Sequence, residues 1–190
     1  MKRRSLIKGM ALAPLAMSVN FDAFAGEANS VDDDDFRSIC NTLNSRDVFA
    51  IIHTKECGIL RYKTHWDWKE SIFVPFATYH NENGPAAIFN RGHSIVLEYW
   101  NNGKMHNSIG PSNILINNLK DSKYYGKFYC KSFHQEGILH NLNGPSIVVR
   151  GKEYCATFQG TRAWKVFAIH GEHYSEEEYW KKVKEIKGSF

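Results

Sequence analysis

The residues of this chain that could do chemistry are its nine histidines and four cysteines. Three histidines open copies of one string: His80-Asn81-Glu82-Asn83-Gly84-Pro85, His106-Asn107-Ser108-Ile109-Gly110-Pro111 and His140-Asn141-Leu142-Asn143-Gly144-Pro145. Equivalent imidazoles could form a metal row, since neutral imidazole is a common ligand. The other reading is that each turn needs the same backbone hydrogen bonds, which an imidazole supplies because its two nitrogens donate and accept. No paired carboxylate or cysteine joins the histidines within the string, so the second reading is preferred and no metal or cofactor is expected. Cys40, Cys57, Cys130 and Cys155 contain no C-x-x-C, which points away from a thioredoxin-like site or a zinc knuckle. A nucleophilic Cys–His pair would have to bring Cys40 or Cys57 to a distant histidine. The chain also lacks a G-x-S-x-G elbow, an H-E-x-x-H helix and a phosphate loop. The expectation is a protein that is not an enzyme.

The strings imply a scaffold. They begin 26 and then 34 residues apart, at 80, 106 and 140, and each proline is followed by a small residue, Ala86, Ser112 or Ser146. A period in this range marks units too small to bury a core alone, which must stack on their neighbours. Between the strings, Ile95, Leu97 and Tyr99 alternate with Val96, Glu98 and Trp100, which predicts a half-buried strand. Asn101-Asn102-Gly103-Lys104 and Glu136-Gly137 are turn signals, because Asn and Gly accept positive φ. In the Gly-Pro pair, glycine is expected to take a backbone shape closed to other residues, and proline fixes φ where the next strand starts. Asn117–Asp121 interrupts this rhythm and accounts for the longer second interval.

At the two ends, helices are predicted. Phe36, Ile39, Cys40 and Leu43 share one helical face over Phe36 to about Leu43, with Asp32–Asp35 at its positive end. Strands follow at Val48–His53 and Ile59–Lys63. Ser175 and Glu178 fit a capping box, and Tyr179, Val183 and Ile186 give the terminal helix its apolar face.

These features together resemble the MORN-like repeats of bacteria and phages. Trp100-Asn101-Asn102-Gly103-Lys104-Met105-His106 with Gly110-Pro111-Ser112 is the nearest copy. Phe133, Gly137, Leu139-His140 and Gly144-Pro145-Ser146 form a second. Tyr79-His80 with Gly84-Pro85-Ala86 is a third, and Trp164–Gly171 a degenerate last. The resemblance implies a mainly β fold: an open stack of antiparallel β-hairpin repeats with short N-terminal and C-terminal capping helices. It also implies an interaction surface without intrinsic enzymatic activity. The expected division is a signal peptide (1–25), a leader and N-terminal cap (26–70), hairpin repeats (71–174) and a C-terminal capping helix (175–190).

The first residues read as an address. Arg3-Arg4-Ser5-Leu6-Ile7-Lys8 resembles the twin-arginine export signal, and Ala23-Phe24-Ala25 offers a small-x-small cleavage site before Gly26. Residues 1–25 carry four of the 24 basic and one of the 20 acidic side chains, so the remainder is near neutral at +1. That balance gives no support for nucleic-acid binding. The apolar run is too short to span a bilayer, and no membrane span is expected in the mature chain. A periplasmic location permits disulfides, with the sequence-local pairs Cys40–Cys57 and Cys130–Cys155 preferred. Tyr99, Trp100, Tyr124, Tyr125, Phe128 and Tyr129 cluster around the repeats, and Trp100, Tyr124 and Tyr125 are the candidate partner-binding residues. The expected function is exported, non-catalytic binding of a protein partner, with immunity to a toxin acting in the periplasm as the leading role. A periplasmic hydrolase, or a metal-binding protein using the repeated histidines, is the rival class.

Overall fold

The structure is a computed structural model that describes residues 36–45, 48–64, 77–150, 156–158, 161–163 and 165–188. The expectations for the signal, the Asp32–Asp35 run, Cys155 and Trp164 lie outside the described residues.

Nine antiparallel strands form one open sheet in the order β15-β14-β11-β8-β7-β4-β3-β1-β2. In chain order these are β1 (Ala50–Thr54), β2 (Gly58–Tyr62), β3 (Ala87–Asn90), β4 (Ser94–Glu98), β7 (Asn113–Asn117), β8 (Phe128–Ser132), β11 (Ile147–Val149), β14 (Lys165–Ile169) and β15 (Glu172–Tyr174). Short side hairpins branch from it: β5–β6 (Trp100–Asn101, Lys104–Met105), β9–β10 (His134–Gln135, Ile138–Leu139) and β12–β13 (Ala156–Phe158, Thr161–Ala163). Apart from β2 on the outer side of β1, the sheet is a meander, in which the β4–β7 and β8–β11 connections carry the side hairpins and the histidine strings.

The strand β4 corrects one expectation. Its residues Ser94, Ile95, Val96 and Leu97 are all buried, so it is covered on both faces rather than half-buried. On one face Ile95 and Leu97 join Ile51, Ile88, Tyr99, Ile114, Ile116 and Phe128 under helix α1 (Arg37–Ser45). On the other, Val96 packs with Ala50, Ile52, Ala87 and Phe89, flanked by Leu60, Tyr62, Tyr79 and Leu115. Alternation in sequence therefore records two apolar faces, one with larger side chains.

Helix α1 buries Ile39, Cys40 and Leu43, the face predicted from their spacing. Those residues join one core cluster with Ile51, Ile88, Ile95, Leu97, Ile114, Ile116 and Phe128, so the helix lies over the face of the sheet. Burying Ile39 and Leu43 stabilises this docking by roughly 1.5–3 kcal/mol each. Both ends of α1 are held by backbone or amide contacts. The Phe36 amide N–H donates to the Gly126 carbonyl at 3.0 Å. At the other end Asn44, Asn90 and Asn118 form a closed amide network, with Asn118 Nδ2 sharing its two protons among Asn44 Oδ1 (3.0 Å), Asn90 Oδ1 (3.1 Å) and the Gly92 carbonyl (2.9 Å). Asn118 is 4% exposed, so these bonds replace water it cannot reach.

The second helix, α2 (Glu176–Lys187), begins at Ser175 with the predicted capping box: Ser175 Oγ accepts from the Glu178 amide, and the Glu178 carboxylate accepts from the Ser175 amide. Tyr179 and Val183 pack on Phe167 and Ile169 of β14. The Tyr179 hydroxyl donates to the Asn141 carbonyl (2.8 Å) and accepts from the Gly144 amide (3.1 Å), fixing the helix to the third histidine string.

Cys40, Cys57 and Cys130 are not disulfide-bonded in the structure. Cys40 is buried on the inner face of α1, whereas Cys57 is exposed in the β1–β2 turn. Burial pushes the Cys130 thiol up.

Candidate functional site

The three histidine strings each receive a hairpin turn through the same pair of hydrogen bonds. The amide N–H of Asn102 donates to His80 Nδ1 (3.4 Å), that of Glu136 to His106 Nδ1 (3.2 Å) and that of His170 to His140 Nδ1 (3.1 Å). One residue further, the amides of Gly103, Gly137 and Gly171 donate to the carbonyls of Tyr79, Met105 and Leu139 at 2.9, 2.8 and 2.9 Å. Both central residues of each turn have positive φ: Asn102 and Gly103 (52°, 74°), Glu136 and Gly137 (53°, 83°), His170 and Gly171 (50°, 81°). That is the two-residue hairpin form whose twist matches its strands. Inside each string the asparagine braces the loop. Asn81, Asn107 and Asn141 donate through Nδ2 to the carbonyls of Pro85, Pro111 and Pro145 (3.1, 2.9 and 3.0 Å). Their Oδ1 atoms accept from the amides of Asn83, Ile109 and Asn143.

The small residue after each proline has a steric cause. Ala86, Ser112 and Ser146 are 0% exposed, and their amides donate to Glu98, Ser132 and Val166 on the neighbouring strand. The Ser112 and Ser146 hydroxyls add bonds to the carbonyls of Ser132 (3.1 Å) and Ala168 (2.7 Å). The glycine before proline behaves differently from expectation. Only Gly144 of the three has positive φ (156°), while Gly84 and Gly110 do not. The left-handed positions sit in the receiving turns instead.

Each repeated histidine thus presents Nδ1 to a backbone donor, which places its proton on Nε2. Glu136 Oε1 also lies 3.3 Å from His106 Nδ1. The amide contact at 3.2 Å makes that nitrogen an acceptor, and the carboxylate lies alongside. His140 stacks on His170 with ring centroids 4.3 Å apart. Among the described residues no three His, Cys, Asp or Glu side chains converge as a metal site.

A pH dependence follows from these rings. Burial lowers the pKa of His134 and His140 below 6.5, helped at His140 by His170, and burial with the Arg61 charge lowers that of His53. The unfolded chain then takes up protons before the folded one as pH falls. Stability from these groups is complete above about pH 6.5 and is lost as pH falls through their folded values. Burial raises the pKa of Glu98 and so works in the opposite direction at lower pH. The melting temperature is expected to drop between pH 7.5 and 5.5, with a smaller drop in His140→Gln. A melting temperature that rises over that interval in the wild type contradicts the assignment.

Between the second and third strings lies an open groove of about 500 Å³. It is lined by Ile109 and Leu142 from the two strings and by Phe128, Lys131, Val148 and Arg150 from the sheet side. Ile109 is 61% exposed. Lys131 is only 7% exposed, with Nζ 4.1 Å from the Phe128 ring centroid and 6.0 Å from that of Phe36. Arg150 Cζ stands 4.0 Å from the Phe128 ring. Both cations stand within cation–π distance of the Phe128 ring, an arrangement favourable to each. No aspartate or glutamate stands among the described residues that line the groove.

The predicted aromatic set is not one patch. β4 pairs with β7 so that Glu98 faces Asn113 and Ser94 faces Asn117, which puts Trp100 and the Tyr124–Tyr125 turn at opposite ends of the strands. Trp100 donates through Nε1 to Glu98 Oε2 (3.0 Å) and meets Tyr79 edge-on. Tyr125 packs against the core under α1, and its hydroxyl donates to Asn41 Oδ1 (2.7 Å). Tyr99 and Phe128 are buried, and Tyr124 is 43% exposed.

Lys131 and Arg150 were not singled out in sequence, and the reason is a bulge. Ile114 pairs with Lys131 and Ile116 with Phe128, with the register shifting between Leu115 and Ile116. Phe128 and Lys131 therefore share a face although they are three residues apart, which period-two reading separates. The amide network had a weaker signal, the break in rhythm at Asn117–Asp121. Compared with known proteins, the chain matches no family model, no curated protein and no solved structure.

Proposed function

We propose that the mature chain is an exported, non-catalytic protein-binding module built from MORN-like hairpin repeats, serving as an immunity protein against a toxin that acts in the periplasm. The observation that carries this reading is the groove between two braced loops, with Ile109 held out on one wall. A loop pinned by an asparagine at both ends costs little ordering on binding, which favours use as a docking surface. Ile109 and Leu142 with Phe133 form its apolar part. This moves the proposed contact away from Tyr125, whose ring and hydroxyl serve the fold. Trp100 and Tyr124 do not line this groove, and a contact through them would be a separate one.

Copurification from periplasm, with partners identified by mass spectrometry, tests the reading. Wild-type protein is expected to retain a partner that Ile109→Asp loses at unchanged melting temperature, because that side chain is exposed. Equal retention by both proteins contradicts the groove as the contact. The rival enzyme reading forecasts turnover of a small substrate without any partner, lost on replacing one histidine or cysteine.

Export has its own expected outcome. Replacing Arg3 and Arg4 by lysine should leave uncut protein in the cytoplasm, as judged by fractionation and the N-terminal sequence. A protein starting at Gly26 in the periplasm of that variant contradicts the twin-arginine route and leaves an ordinary secretory signal standing.

A further inference from the structure

The sequence holds three Asn-Gly pairs: Asn83-Gly84 and Asn143-Gly144 inside two of the histidine strings, and Asn102-Gly103 in a receiving turn. An asparagine side chain condenses with the backbone most readily when glycine follows, because glycine has no Cβ to hinder the approach. The nitrogen of the following residue must lose its proton and reach the asparagine Cγ. A hydrogen bond from that N–H opposes both steps. The partner of each glycine amide therefore decides which pair reacts.

In two of the pairs that amide is held. Gly103 donates to the Tyr79 carbonyl at 2.9 Å, and the Asn102 amide before it is bonded to His80 Nδ1. Gly144 donates to the Tyr179 hydroxyl at 3.1 Å, and Asn143 Oδ1 accepts from Lys187 Nζ at 3.1 Å, so α2 restrains both halves of that pair. Among the described residues nothing hydrogen-bonds the Gly84 amide or the Asn83 side chain. Gly84 and Gly144 are both buried, and Asn83 and Asn143 both exposed. The two strings thus differ in the partner of the amide and not in access. We propose that Asn83 is a self-modification site, at which the folded chain deamidates. The Gly84 nitrogen bonds to Asn83 Cγ and the Cγ–Nδ2 bond breaks, which releases ammonia and leaves a succinimide. Water then opens the ring at either carbonyl, giving aspartate or, with the backbone routed through the side chain, isoaspartate. Water is consumed and ammonia leaves, and nothing is oxidised or reduced.

The product changes the first string alone. Asn81 braces that string by accepting from the Asn83 amide (3.1 Å) and donating to the Pro85 carbonyl (3.1 Å). Isoaspartate lengthens the backbone between those two anchors by a methylene, and either product adds a carboxylate next to Glu82. The string that receives the β5–β6 turn is loosened, while the groove between the second and third strings keeps its lining.

Peptide mapping of the purified protein, held folded at mildly alkaline pH, tests the site. Trypsin separates the three pairs, which fall in residues 70–91, 92–104 and 132–150. The Asn83 peptide is expected to gain deamidated mass and isoaspartate about tenfold faster than the other two, the rate equivalent of one retained hydrogen bond. In denaturant the three rates should converge, because every glycine amide is then free. Asn83→Ala should abolish the fast component. Tyr179→Phe removes the partner of the Gly144 amide and should raise the Asn143 rate without changing that of Asn83. Equal rates in the folded protein, a faster reaction at Asn102, or an Asn143 rate unmoved in Tyr179→Phe would overturn the proposal.

Discussion

Gly126→Val is expected to release α1 from the sheet and lower stability by about 3 kcal/mol or more. Gly126 has φ 74°, a conformation that a β-branched residue adopts only with strain. A Cβ built there also stands 2.8 Å from the Arg37 backbone nitrogen and meets the Arg37 side chain. The backbone on the other side cannot yield, because the Gly126 carbonyl accepts the Phe36 amide and its own amide donates to the Asn117 carbonyl at 2.9 Å. Relief requires α1 to move away, which exposes Ile39, Cys40 and Leu43 together with the sheet residues beneath them. Chemical denaturation reads the loss directly, and faster modification of the Cys40 thiol reports the undocking. A variant with wild-type stability and a protected Cys40 would show that the approach of α1 to this turn is looser than described.

The second large effect is at the other end of the chain. Tyr179→Ala is expected to cost about 3–5 kcal/mol, the range for removing a buried aromatic. Tyr179 is 0% exposed and its ring lies 5.0 Å from that of Phe167. Tyr179→Phe separates packing from hydrogen bonding. It keeps the ring but leaves the Gly144 amide and the Asn141 carbonyl without the hydroxyl, at a cost of about 1–3 kcal/mol. If the phenylalanine variant is as stable as wild type while the alanine variant is not, the helix is held by packing alone. Either result is read from melting curves together with far-ultraviolet circular dichroism.

These contacts show which parts of the molecule can be read from sequence. The three histidine strings were visible because their chemistry is local: asparagine two residues from the amide it accepts and four from the carbonyl it meets. Capping at Ser175 and Glu178 is local for the same reason. The receiving turns were half legible. Asn102-Gly103 and Glu136-Gly137 stand out as turns, yet their docking on His80 and His106 spans 22 and 30 residues and leaves no spacing rule. The position of α1 was not legible at all. Its apolar face predicts a helix that must bury something, while Gly126 and the Asn44–Asn90–Asn118 network decide what. The same limit applied to the site, since a bulge in the β7–β8 pair gathers Phe128 and Lys131 on one face. Cys40 and Cys57 show a related limit: they are close in sequence, yet one lies on the buried face of a helix and the other in an exposed turn.

The proposed function is tested most directly by growth of a strain lacking the gene, challenged with any toxin encoded beside it or delivered by a neighbouring strain. The deletion strain should lose the competition, wild-type protein in the periplasm should restore survival, and Ile109→Asp at equal periplasmic level should not. Undiminished fitness of the deletion strain, or full rescue by Ile109→Asp, would contradict the account.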